Sequence, residues 1–171
     1  MMPAHTSGVA PNDAAGARAA AALRQFRAHF GLSADGDDLA ALSRFCRAFA
    51  QLPYENLTKI LKHSRTGTPA RREVDEVVAD HIRQGTGGTC FSLTAALVAL
   101  LRAAGWSAAP ILADRHYGVD THCAVRVEVA GAAYLLDPGY LLAEPIPLAA
   151  AQAGPLRIAA AAGAIELVPS A

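Results

Sequence analysis

The chain has 171 residues with 15 basic and 15 acidic side chains, and it is 53% apolar, much of that alanine. That length holds one domain, or one and part of a second, with core enough to need no disulfide framework. A net charge of zero removes the electrostatic case for nucleic acid or an anionic membrane as partner, and Arg71-Arg72 is too small a basic cluster to restore it.

The N-terminal stretch MMPAHTSGVAPNDAAG lacks the charged start and apolar run of a signal peptide. The longest apolar run, Leu93–Leu101, is about half of what a membrane span needs. Three cysteines, Cys46, Cys90 and Cys123, form an odd and sparse set, and a reducing cytoplasm is the expected location.

In chain order, residues 1–13 read as a disordered tail. Ala14–His29 predicts an alanine-rich helix ended by Gly31. Asp37 or Asp38 can cap a second helix, whose apolar stripe is Leu39, Leu42, Phe45, Cys46 and Phe49. Cys46 therefore reads as core. Pro53 ends this helix, and YENLTKIL is expected to be a turn. Arg72–Arg83 reads as a third helix through Val74, Val77, Val78 and Ile82. GTGGT is a turn, and Cys90–Ala104, apolar on nearly every side, has the pattern of a helix at a domain centre. The period then changes. SAAPILA is a short strand, HCAVRVEV alternates strictly, and AAYLLD pairs with it across a turn at Ala130-Gly131. The tail holds at most a weak hairpin in PLRIAAAAGAIELV. Helices before strands predict an α+β fold, with a helical domain over 14–104 and an antiparallel β domain over 105–171.

One junction carries chemistry. Cys90 follows Gly87-Gly88 and opens the buried helix, where free N–H groups and the positive end of the helix dipole favour a thiolate. The same groups can hold an oxyanion. A free cysteine is also often a small buried residue, so placement alone leaves both readings open. If the hairpin turns at Ala130-Gly131, Ala124 falls opposite Asp137, and His122 shares a face with Asp137 one diagonal step away. Asp137 could then orient His122 as base for the thiol. Arg126 and Glu128 share that face, which predicts much of it to be solvated. An exposed strand histidine and a turn-forming aspartate before Pro138-Gly139 are the alternatives. Cys123 points the other way, among core valines. His29, His63 and His81 read as surface residues, and no ligand spacing predicts a metal site.

Together LPYENLTKI, GGTCFSL, THCAVRV and YLLDPGY resemble the arylamine N-acetyltransferase family over roughly residues 20–145. The resemblance implies a helical bundle followed by a β-barrel-like sheet, with a thiol triad of the papain and transglutaminase kind. It implies Cys90 as acyl-carrying nucleophile, His122 as base, Asp137 as orienter, and Phe91 and Thr121 as substrate-lining residues. It also implies ping-pong transfer from acetyl-coenzyme A, a co-substrate and no tightly bound cofactor, to a small arylamine or hydrazine. Tyr54-Glu55-Asn56-Leu57 would support the active-site helix, with a helix cap as the plainer reading of Glu55 and Asn56.

The chain departs from the family pattern at Thr89, Ser92, Pro138 and Tyr140, and Gln84-Gly85-Thr86 lacks the basic residue expected before the glycines. It is also expected to lack most of the third domain that family members carry. A transglutaminase-like hydrolase or amide synthase, and an inactive relative that binds a partner, are the other readings. Uncovered strands would favour a homodimer.

Overall fold

The computed structural model describes residues 11–34, 36–68, 71–152, 154–160 and 163–168. Five helices come first: α1 (Pro11–Phe30), α2 (Leu39–Phe49), α3 (Leu57–Thr66), α4 (Val74–Gln84) and α5 (Cys90–Ala103). Strands β1 (Ser107–Arg115), β2 (Gly118–Val129), β3 (Ala132–Leu136) and β4 (Ile146–Pro147) form an antiparallel sheet in that order. A short helix, α6 (Leu148–Gln152), leads to the ribbon of β5 (Leu156–Ala160) and β6 (Gly163–Leu167). This is the α+β architecture expected. The weak hairpin of the tail is that last ribbon.

Two expectations about elements are corrected. The first helix begins at Pro11, so the expected tail is three residues too long; its remainder, residues 1–10, lies outside the described residues. Proline is at home in a first helical turn, where its missing N–H has no partner to lose. The expected turn YENLTKIL is instead the start of α3. Glu55 closes its N-terminus by accepting from the Thr58 N–H at 2.9 Å and the Thr58 hydroxyl at 2.5 Å, and Gly67 ends it in the left-handed conformation. None of α3 is buried: its apolar Leu57, Ile60 and Leu61, at helical spacing in the sequence, face outward.

Caps set the other starts. Asp38 accepts from the Ala41 N–H at 2.7 Å, and Glu73 and Glu76 form a reciprocal box at the start of α4. The core is continuous from helices to sheet: Phe26, Leu42, Phe49, Val77, Leu93 and Leu97 pack with Trp106, Val125, Val127 and Leu136. Cys46 belongs to it, and burial pushes its thiol up to about 12. The opposite sheet face has its own cluster, Ala124, Leu135, Leu142 and Ile146, joined by Ile111, Leu156 and Ile158.

The β2–β3 hairpin turns at Ala130-Gly131, with φ of 49° and 79°. Two positive values are what a type I′ two-residue hairpin requires. Val129 faces Ala132 and Val125 faces Leu136, the register expected from the sequence.

Candidate active site

Cys90, His122 and Asp137 meet at the end of the sheet. Cys90 comes from the first turn of α5, His122 from mid-β2, and Asp137 from the residue after β3. His122 Nε2 lies 2.8 Å from Asp137 Oδ2, and both residues are buried. Tyr140 N–H donates to Asp137 Oδ1 at 3.0 Å, so both carboxylate oxygens are held. His122 Nδ1 is buried without a hydrogen-bond partner in this resting geometry. Cys90 lies beside the same ring, both meeting Gly139.

The face shared with Arg126 and Glu128 is not solvated throughout, which corrects that expectation. Arg126 and Glu128 pair with each other in water at 2.7 Å. Two and four residues earlier, Ala124 and His122 are buried: Leu142 and Ile146 pack with Ala124, and Gly139 and Tyr140 lie against the His122 ring.

The thiol is held far below its ordinary value, at about 4. The neighbouring Cys123 thiol is the largest cause, followed by His122 and the Phe91 N–H, all against the opposing effect of burial. Cys123 is driven the opposite way by the same contact, and it stays a thiol. For His122, burial opposes the charge, but Asp137 and Cys90 outweigh it and raise the ring to about 9. Between those values the pair stands as thiolate and imidazolium.

Glycines make the approach possible. A Cβ on Gly139 would lie 2.8 Å from both Cys90 Cβ and His122 Cε1, so only hydrogen fits between nucleophile and base. A Cβ on Gly87 would lie 2.0 Å from the Pro53 carbonyl oxygen. There the strap after α2 runs against the loop before Cys90: Gly88 N–H donates to Pro53 O at 3.1 Å and Glu55 N–H to Gly88 O at 3.0 Å. The Tyr54–Leu57 segment thus both supports this loop and, through Glu55, caps α3.

Arg72, passed over in the sequence as half of a weak basic cluster, is buried behind the same loop. Its guanidinium donates to the Gly87 carbonyl, to Thr58 Oγ1 at 2.9 Å and to Asp80 Oδ2 at 2.6 Å. A basic group therefore reaches the glycines from the start of α4. His81, expected at the surface, is half-buried. Its Nδ1 lies 3.1 Å from the Thr86 carbonyl and its ring stacks on Phe30.

Phe91 is half-exposed beside Cys90, while the Thr121 hydroxyl is committed to the Gly118 carbonyl at 2.9 Å. Thr89 makes no side-chain cap bond to α5, so the first-turn N–H groups next to the thiol are not taken up by a capping side chain. Among the described residues no group of three or more histidine, cysteine or acidic side chains is placed to hold a metal.

A thiol at a helix start, an imidazole and a carboxylate thus meet on one α+β scaffold, an arrangement in which a cysteine can serve as a nucleophile. The sequence profile of the N-acetyltransferase family matches residues 38–159, and the chain belongs to that family, the arylamine N-acetyltransferases. Solved structures share the fold. The arylamine N-acetyltransferase of Mycobacterium smegmatis superposes with a TM-score of 0.64 at 22% identity, over 87% of this chain and 57% of that one. Arylamine N-acetyltransferase C from Bacillus anthracis gives 0.60 at 20% identity, over 85% and 58%. The NAT3 enzyme of Bacillus cereus, with the same scores and coverage, is described as having a Cys-His-Glu catalytic triad. The chain thus spans a little over half the length of these relatives. No curated protein sequence matches it.

Proposed function

We propose that this chain transfers an acyl group, acetyl in the first instance, from an acyl-coenzyme A to a small arylamine through a thioester on Cys90. The observation that carries the reading is the His122–Asp137 bond at 2.8 Å, with Nδ1 left open and Cys90 beside the ring.

In the first half-reaction the Cys90 thiolate adds to the thioester carbonyl. The first-turn N–H groups of α5, Phe91 among them, receive the oxyanion. Collapse breaks the carbon–sulfur bond to coenzyme A, and His122 gives its proton to the departing thiolate. In the second, the amine adds to acyl-Cys90 and passes a proton to His122. The bond to Cys90 then breaks, and the thiolate–imidazolium pair is restored. Asp137 holds the ring so that one nitrogen always faces the sulfur. Phe91, half-exposed next to the thioester, offers the acceptor ring an apolar contact. In this reading the helical part, residues 14–104, brings the nucleophile, and residues 105–171 bring the base and its partner.

Incubation with acetyl-coenzyme A alone tests this directly. One equivalent of coenzyme A is released, an acetyl group appears on the Cys90 peptide by mass spectrometry, and an arylamine removes it. Cys90→Ser does none of these. Absence of the adduct from wild-type protein would sink the proposal, and acylation by glutamine peptides instead would place the chain with the transglutaminase-like thiol enzymes.

A further inference from the structure

Arg115 closes β1 where the strand ladder breaks. Ala113 pairs with His122, but Arg115 pairs with Gly118, so β2 carries extra residues between them. Asp120 sits in that bulge with φ of 54°, its N–H bonded to Asp114 Oδ1 at 2.9 Å. Two residues beyond Ala113, Arg115 lies on the sheet face that also carries His122.

Its guanidinium packs 4.8 Å over the Tyr140 ring and 5.6 Å over the Tyr117 ring, and it donates to both phenol oxygens. Tyr140 in turn lies 5.0 Å from the His122 ring. The cation is one aromatic ring away from the base. Among the described residues no carboxylate pairs with it. Asp114 is turned to the backbone of Asp120. The cluster therefore presents remaining guanidinium N–H groups and two phenol O–H groups, donors without a matching negative charge. An anion is their complement.

We propose that Arg115, Tyr117 and Tyr140 form a subsite for an anionic group, carboxylate or phosphate, on the molecule presented to Cys90. The proposal rests on the acyl-transfer reading above and adds a charge requirement to it. The anion has two possible sources, a phosphate of the coenzyme A donor or a carboxylate on the acceptor amine.

Occupancy is read from protection of Cys90 against iodoacetamide, with the labelled peptide identified by mass spectrometry. The probes are AMP against adenosine for the donor source and benzoate against benzamide for the acceptor source. In one pair the charged member half-protects at about a tenfold lower concentration or better, the worth of a charged hydrogen bond. That ratio falls to about one in Arg115→Gln and is partly kept in Arg115→Lys. Equal protection by charged and neutral members in both pairs, or an unchanged ratio in Arg115→Gln, overturns the proposal. So does an equal loss of protection by all four probes, which would make Arg115 only a support for Tyr140. The readout is occupancy and not turnover, so a chain that transfers no acyl group can still show the subsite, and an active chain without charge discrimination refutes the subsite alone.

Discussion

The Cys90 thiol owes its low pKa to neighbours, and each neighbour can be removed singly. Without the His122 imidazolium the thiolate loses a stabilising charge, so its pKa rises. In His122→Ala, alkylation of Cys90 at about pH 6 is expected to slow by at least about tenfold, and the midpoint of its pH profile to move upward. An unchanged profile would mean that Cys123 and the helix start act alone. Gly139→Ala tests the spacing. The added Cβ stands 2.8 Å from atoms of both Cys90 and His122, so the two must separate. Overpacking of this kind costs about 1–3 kcal/mol, and acyl-enzyme formation should fall by more than the stability change explains. Equal rates in wild type and Gly139→Ala would show that the contact has room to relax.

At the scale of elements, the nucleophile loop is held from behind and the base is held by hairpin register. Arg72 joins α3, α4 and the Gly87 carbonyl, and Glu55 is also near, at 3.9 Å. Arg72→Met leaves the half-buried Asp80 without that partner and the Gly87 carbonyl without its donor. A loss of about 3–5 kcal/mol is expected from denaturant midpoints. A change below about 1 kcal/mol would show that Asp80, which also binds Arg83, is held well enough without Arg72. The β2–β3 turn carries a removable cost. Ala130 holds a φ of 49° that its Cβ resists. Ala130→Gly should raise stability by about 0.5–1 kcal/mol without altering Cys90 reactivity. Altered reactivity would mean that the turn does more than set the register.

At the scale of the molecule, one core runs from α1 to β3, and the site lies where that core meets the second cluster on the other sheet face. The thiolate–imidazolium pair couples this arrangement to pH. Cys90, lowered from 9.0 to about 4, contributes stability that is complete above 9.0 and lost as pH falls toward 4. His122, raised from 6.5 to about 9, contributes stability that is complete below 6.5 and lost as pH rises toward 9. Between 6.5 and 9 the two slopes oppose each other, so the pair's net effect is a loss on the acid side of 6.5. Denaturation midpoints of wild type and Cys90→Ser across this range check it. The substitution should remove that part of the acid-side slope, and identical slopes would contradict the assigned charges.

Much of this was determined locally and could be read from residue order. Helix periodicity, Asp38 as a cap, the alternation in β2 and the Ala130-Gly131 turn each rest on neighbours in sequence. Because side chains alternate strictly along a strand, that turn alone places His122 and Asp137 on one face. Cys90 at a helix start after two glycines was legible for the same reason. What only the tertiary structure decided involves chain segments far apart. The burial of Ala124 depends on Leu142 and Ile146 returning over the sheet, and that of His122 on Gly139 and Tyr140 coming to lie against its ring. The need for glycine at 139 depends on α5 reaching the end of β3, and the work of Arg72 depends on where the loop before Cys90 comes to lie. The helix α3 was legible in part, since Glu55 and Asn56 read as a cap and Leu57, Ile60 and Leu61 keep helical spacing, but the run is short and after Pro53 it reads as a turn. Local pattern fixes which face a side chain takes, but what covers that face, and therefore its charge and reactivity, is set by contacts that no spacing in the sequence records.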